Sequence, residues 1–195
     1  MMEKSWAFKR KLIDYYDNLS KSYDRLYGDE QELKYSLILK ALKLQSDHRI
    51  LDFGCGTGLL LRALEEKGAT FLIGIDISSG MLTKAKERRV SKADLILCDG
   101  ELLPIRNRVF DVVFMVTVFQ DLYDKRLGLK HVIRVTREGG MISLSVPNKA
   151  DYPSELLHYI TNEEGLVITN RVPGSKDLIL LLKRLRTRTS RQSTS

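Results

Sequence analysis

An α/β fold, a mostly parallel sheet with helices on both faces, is what this 195-residue sequence predicts. Three observations predict it. Strand-like and helix-like runs alternate from residue 48 to residue 146, one buried strand turns through three glycines directly into a helix, and two β-rich runs close the chain with a hairpin signal between them.

The elements follow in order. From Trp6 to about Leu44 the chain reads as helices, with Leu12, Tyr15, Tyr16, Leu19 and Tyr23 on one stripe, Leu33, Leu37, Ala41 and Leu44 on another, and a break near Gly28. His48 to Phe53 reads as a strand, Leu59 to Lys67 as a helix, Phe71 to Asp76 as a strand and Met81 to Arg89 as a helix. Ala93 to Cys98 and Val109 to Val116 are strands, Asp121 to Arg137 a helix and Met141 to Val146 a strand. Gly165 to Val172 and Lys176 to Lys183 flank Pro173-Gly174-Ser175, so they pair as a hairpin and end a mostly parallel, seven-stranded sheet on an antiparallel strand.

With 43% hydrophobic residues the chain has enough apolar surface for the core of one catalytic unit. It carries no signal-peptide pattern and no apolar run near the roughly 18 residues a bilayer requires, so a cytoplasmic protein without a membrane span is expected. Cys55 and Cys98 have neither disulfide-framework nor metal-site spacing, and no metal is expected. Of the formal charge of +7, Lys183, Arg184, Arg186, Arg188 and Arg191 supply five units, and the remaining +2 is no basic groove. Residues 184–195 read as a basic, disordered tail.

The sharpest motif is Ile50-Leu51-Asp52-Phe53-Gly54-Cys55-Gly56-Thr57-Gly58-Leu59. Without side chains the backbone can approach a ligand closely, and the helix beyond offers free N–H groups, although glycines also serve plain strand-to-helix turns. A dinucleotide loop places its third glycine where Leu59 stands, which disfavours a dinucleotide. Asp76 ends the next strand at a distance suited to ribose hydroxyls; it could instead cap the following helix, a task open to Ser78 as well. Asp99, in Cys98-Asp99-Gly100-Glu101-Leu102-Leu103-Pro104, is either an acceptor for an adenine amino group or a turn-forming Asp-Gly. The fourth strand, Phe110-Asp111-Val112-Val113-Phe114-Met115-Val116-Thr117, is continuously apolar and therefore central.

Taken in order, Leu51 to Gly58, Gly74-Ile75-Asp76, Asp99 to Pro104, Phe110 to Val113 and the later Val135-Thr136-Arg137-Glu138-Gly139-Gly140-Met141 closely resemble the class I S-adenosylmethionine-dependent methyltransferases over roughly residues 46 to 146. That resemblance implies a Rossmann-like fold with S-adenosyl-L-methionine as cofactor. It implies Asp52, Gly54, Gly56 and Gly58 near the methionine moiety, Asp76 on the ribose, Asp99 with Gly100 at the adenine and Thr117 near the sulfonium, with Cys55, Ile77, Met81 and Glu101 also in the cofactor site. It further implies an N-terminal helical lid over residues 1–45, a cofactor domain over 46–183 and the tail over 184–195. Tyr16 to Asp24 resembles the lid helix of small-molecule and quinone-type members, with Tyr23 as the lid contact.

Displacement at a sulfonium needs alignment and exclusion of water more than a fixed catalytic group. Where the acceptor must lose a proton, Asp121, Tyr16, Tyr23 and Tyr27 are the candidates by position, Asp121 being open also to a helix-cap role and the tyrosines to packing. The fourth strand is not followed by an Asn-Pro-Pro-Tyr sequence or a Pro-Cys pair, which disfavours planar amide nitrogens and cytosine C5. Three readings stay open: an enzyme acting on a small or lipid-like acceptor, an RNA or translation-factor enzyme using the basic tail or a small activator protein, and a non-enzymatic cofactor-binding module.

Overall fold

In the computed structural model, which describes residues 2–149, 151–163 and 165–186, two N-terminal helices precede the sheet: α1 (Met2–Leu19) and α2 (Tyr23–Ala41). The break falls at residues 20–22, not at Gly28. Gly28 stays within α2, where a side chain would meet nothing within 4 Å, and a helix interior tolerates glycine at about 1 kcal/mol.

Seven strands follow, β1 (Arg49–Phe53), β2 (Phe71–Asp76), β3 (Ala93–Leu97), β4 (Phe110–Val116), β5 (Thr136–Pro147), β6 (Leu166–Arg171) and β7 (Asp177–Arg184), in the order β3-β2-β1-β4-β5-β7-β6. The first five run parallel, and β7 pairs antiparallel with both β5 and β6, as the hairpin signal predicts. Between them lie α3 (Leu59–Glu66), α4 (Ser79–Glu87), α5 (Lys125–Val135) and α6 (Tyr152–Thr161).

Alternation along β4 divides the core. Val113 and Met115 face a cluster with Leu129, Val132, Val135, Leu156 and Ile160 of α5 and α6, whereas Val112, Phe114 and Val116 face Ile38, Leu60, Leu61 and Leu64 of α2 and α3. Strand order reverses between β1 and β4, so their carboxyl ends diverge and open a crevice where open α/β sheets take ligands.

Three sequence expectations change. The helix expected from Asp121 begins at Lys125, because Asp124 accepts the Leu127 N–H at 2.9 Å as its cap, and Phe119–Asp121 form a short 3-10 turn. That helix also ends at Val135, and β5 starts at Thr136 rather than Met141, with a register shift around Gly139 at φ +77°. Helix α6, with proline in its first turn, falls where no helix was expected. At the chain end Arg184 belongs to β7, its guanidinium donating to the carbonyls of Ile133 (2.6 Å) and Thr136, while residues 187–195 of the expected tail lie outside the described residues. Among the described residues no helix is long and apolar enough to cross a membrane.

Candidate functional site

The loops after β1 to β4 line one cleft at the crevice, and α1 and α2 roof it. Gly54, Cys55, Gly56, Asp76, Ile77, Met81, Asp99, Gly100, Glu101, Thr117, Asp121 and Tyr23 all line it. Asp52 and Gly58 do not. Gly58 begins α3 at φ +79°, with Ala85 3.1 Å from where its Cβ would stand, so it serves helix packing. Asp52, 3% exposed, sits between Gly74 of β2 and Phe114 of β4 with its Oδ2 unpartnered. Burial and the nearby Asp76 push its carboxyl up to about 8.

The two alternatives for Asp76 separate here. Ser78 is the cap of α4, its hydroxyl accepting the Met81 N–H at 3.0 Å. Asp76 instead accepts the Gly56 N–H on Oδ2 and the Ser78 N–H on Oδ1, both at 2.9 Å, and lines the cleft. The Ile77 N–H also bonds this carboxylate, and its remaining acceptor capacity suits a ligand hydroxyl.

Asp99 forms the turn and also lines the cleft. Its Oδ1 accepts the Glu101 N–H at 2.9 Å and forms the turn, while Oδ2 takes the Lys9 ammonium of α1 at 2.6 Å. Gly100 packs flat against Phe53, since a Cβ there would stand 2.2 Å from the ring. Gly54 at φ +78° is equally closed to side chains, its Cβ position lying 2.4 Å from Val118. Thr117, left-handed at φ +59°, donates its N–H to Ser145 Oγ at 3.0 Å, and its hydroxyl meets the buried Lys34 ammonium at 3.2 Å.

The roof is tied down on each of the four loops. After β1, Asp24 accepts from Thr57 at 2.6 Å and pairs with Arg88. After β2, Asp17 accepts the Ser78 hydroxyl at 2.5 Å and the Gly80 N–H at 2.8 Å. Lys9 holds the loop after β3, and the Tyr16 hydroxyl donates to Asp121 Oδ2 at 2.7 Å after β4.

Asp121 is not a helix cap, since Asp124 takes that place. Gln120 Nε2 also donates to its Oδ2, at 3.2 Å, and among the described residues no donor reaches Oδ1. Burial raises its pKa above the usual carboxylate range, against the lowering effect of the Tyr16 and Gln120 hydrogen bonds. Burial likewise raises the pKa of the Tyr16 and Tyr23 phenols and keeps both protonated; Tyr16 donates to Asp121, and the Tyr23 hydroxyl accepts from Gln31 Nε2 at 3.3 Å. Tyr27 is 40% exposed and stacks on Tyr23 outside the cleft, and His131 meets the Glu101 carbonyl at 3.1 Å from α5.

Comparison with known proteins gives the site a family. A model of the methyltransferase domain matches residues 51–144, the span that carries the glycine loop and every carboxylate of the cleft. The chain belongs to the class I S-adenosylmethionine-dependent methyltransferases. The chain is 31% identical over 135 residues to a demethylmenaquinone methyltransferase of Corynebacterium glutamicum, covering 67% of this chain and 56% of that one. It is 32% identical over 150 residues to a malonyl-[acyl-carrier protein] O-methyltransferase of a Marinomonas species, covering 75% and 55%. It thus spans little more than half the length of these relatives.

Among solved structures, the [4+2]-cyclase SpnF shares the fold of this chain with a TM-score of 0.80 at 15% identity over 92% of this chain and 97% of that one. The methyltransferase bound to the Trm112 activator of Haloferax volcanii shares it with a TM-score of 0.76 at 16% identity over 88% and 98%.

Proposed function

We propose that the protein transfers the methyl group of S-adenosylmethionine to a small or lipid-like acceptor bound under the α1–α2 roof. One observation carries this reading: the cleft joins a polar floor fit for the cofactor to an aromatic and aliphatic roof. The floor suits that ligand because Gly54 and Gly100 leave backbone where a Cβ would clash, and because Asp76 retains acceptor capacity. Leu12, Tyr16 and Tyr23 of the roof, with Val118 and Leu122 of the loop after β4, add an apolar lining that suits an apolar acceptor.

The bound cofactor supplies a methyl group already activated on a sulfonium. What the chain supplies is position. Asp76 binds the ribose hydroxyls, Asp99 and Gly100 meet the adenine, and Thr117 is fixed at the end of β4 by Ser145 and Lys34. The four roof anchors exclude water from the cleft, which aligns acceptor and donor and protects the transfer. Asp121, held by Tyr16 and Gln120, takes a proton from the acceptor on Oδ1 where one must leave.

The relatives named above act, by their names, on demethylmenaquinone and on malonyl-[acyl-carrier protein]. The basic end of the chain supports an RNA acceptor less well, since Arg184 is spent on backbone carbonyls.

The test is transfer of radiolabelled methyl from S-adenosylmethionine into extract of the source cells, followed by organic extraction, ribonuclease and protease. Label entering the organic solvent supports the reading. Label released only by ribonuclease or protease contradicts it, and no transfer by a protein that binds S-adenosylhomocysteine favours an absent activator or a non-enzymatic module.

A further inference from the structure

We propose that Lys9 is a recognition residue for the purine end of the cofactor, contributed by the roof rather than by the floor. This rests on the S-adenosylmethionine site proposed above.

Lys9 is 6% exposed, an unusual position for an ammonium unless it is paired. Its Nζ lies 2.6 Å from Asp99 Oδ2 and 3.1 Å from Glu101 Oε2, across 90 and 92 residues of chain. Neither carboxylate needs it for local structure. Asp99 Oδ1 already shapes the turn through the Glu101 N–H, and Glu101 accepts the Tyr123 N–H at 2.8 Å and the Asp124 N–H at 3.2 Å, which joins the loop after β3 to the start of α5.

An ammonium has three donors and no acceptor. Two are spent on the carboxylates, and Lys9 itself lines the cleft beside Asp99 and Gly100. The third N–H is therefore a donor standing next to the Asp99 acceptor. Adenine offers the complement on an edge where an unprotonated ring nitrogen, an acceptor, adjoins the exocyclic amino group, a donor. Asp99 takes the amino group and Lys9 donates to the ring nitrogen. Because Lys9 belongs to α1, reading the purine and seating the roof become one event.

The experiment is calorimetric titration of wild type, Lys9→Met and Lys9→Arg with S-adenosylhomocysteine and with 5′-methylthioadenosine, which keeps the nucleoside and lacks the amino-acid end. A hydrogen bond from a charged donor in a buried site predicts that Lys9→Met weakens both ligands by the same factor, about tenfold, with part of the loss restored in Lys9→Arg. Unchanged affinities overturn the proposal. So does a loss confined to S-adenosylhomocysteine, which puts Lys9 at work on the amino-acid end. Should Lys9→Met not fold, the lysine Nζ resonance of Lys9 in wild-type protein decides: it moves on adding 5′-methylthioadenosine if Lys9 reads the purine and stays in place if it does not. Wild-type protein that binds neither ligand overturns the cofactor site itself, a failure distinct from that of Lys9 alone.

Discussion

Tyr16 of α1 and Asp121, 105 residues later in the turn that follows β4, are joined by a 2.7 Å hydrogen bond inside the cleft. The phenol donates to Oδ2, and among the described residues no donor reaches Oδ1. If Asp121 takes the acceptor's proton, Asp121→Asn lowers kcat at least about 100-fold while affinity for S-adenosylhomocysteine stays within about threefold. Equal losses in both would place Asp121 in cofactor binding instead.

Tyr16→Phe separates orientation from proton transfer. The Tyr16 hydrogen bond lowers the Asp121 pKa, so its removal raises that pKa further. Asp121 is then protonated up to a higher pH, and the acid limb of the kcat profile moves to higher pH. A profile that moves to lower pH, or not at all, contradicts the pairing.

Both residues of that pair were legible in the sequence as candidates, but the bond between them was not. Spacing exposed the glycine loop, Asp76 and Asp99, because each ends a strand whose hydrophobic pattern marks it. Asp121 looked like a cap because Asp121 and Asp124 are both capping types three residues apart, and only the hydrogen bond from Leu127 selects Asp124. The break at residues 20–22 lost to Gly28 on paper because glycine is the stronger local signal, although Ser20-Lys21-Ser22 carries the actual turn. Lys9 left no local trace, since its partners stand 90 and 92 residues away and only the closed sheet brings them together.

Gly100→Ala tests the flat floor. Its Cβ would lie 2.2 Å from Phe53, a ring buried in the core, so the loop or the ring must shift. The variant loses about 1–3 kcal/mol of stability in urea unfolding and binds S-adenosylhomocysteine at least about tenfold more weakly. Normal binding would show that the adenine does not lie against this loop.

Asp52 gives the protein a pH signature. Its pKa is raised to about 8 in the folded state, from an ordinary carboxylate value near 4 in the unfolded chain. A raised folded pKa contributes stability that is complete below the unfolded value and is lost as pH rises through the folded one. Wild-type protein therefore loses about 3–4 kcal/mol between pH 5 and pH 8 relative to Asp52→Asn, read from urea midpoints at both pH values. Parallel midpoints in the two proteins would show that Asp52 is ionised throughout.

The roof anchors predict a kinetic effect. Asp17 holds Ser78 and Gly80, and a Cβ on Gly80 would lie 2.9 Å from the Asp17 Cα, so Gly80→Ala pushes α1 away from α4. Stopped-flow release of S-adenosylhomocysteine is expected to quicken about tenfold or more in Gly80→Ala, on the scale of roughly 1–2 kcal/mol for a lost cap and an overpacked contact. An unchanged release rate would mean that the cofactor leaves without moving α1.

The most direct measurement is titration of isotopically labelled protein with S-adenosylhomocysteine, followed residue by residue through backbone amide resonances. Binding in the cleft moves Gly54 to Gly56, Asp76 and Ile77, Asp99 and Gly100, and Thr117 together, with the α1 residues around Lys9 and Tyr16. Shifts confined to another surface, such as the groove between α2 and α3, or no shifts at saturating ligand, would contradict the cleft as the cofactor site.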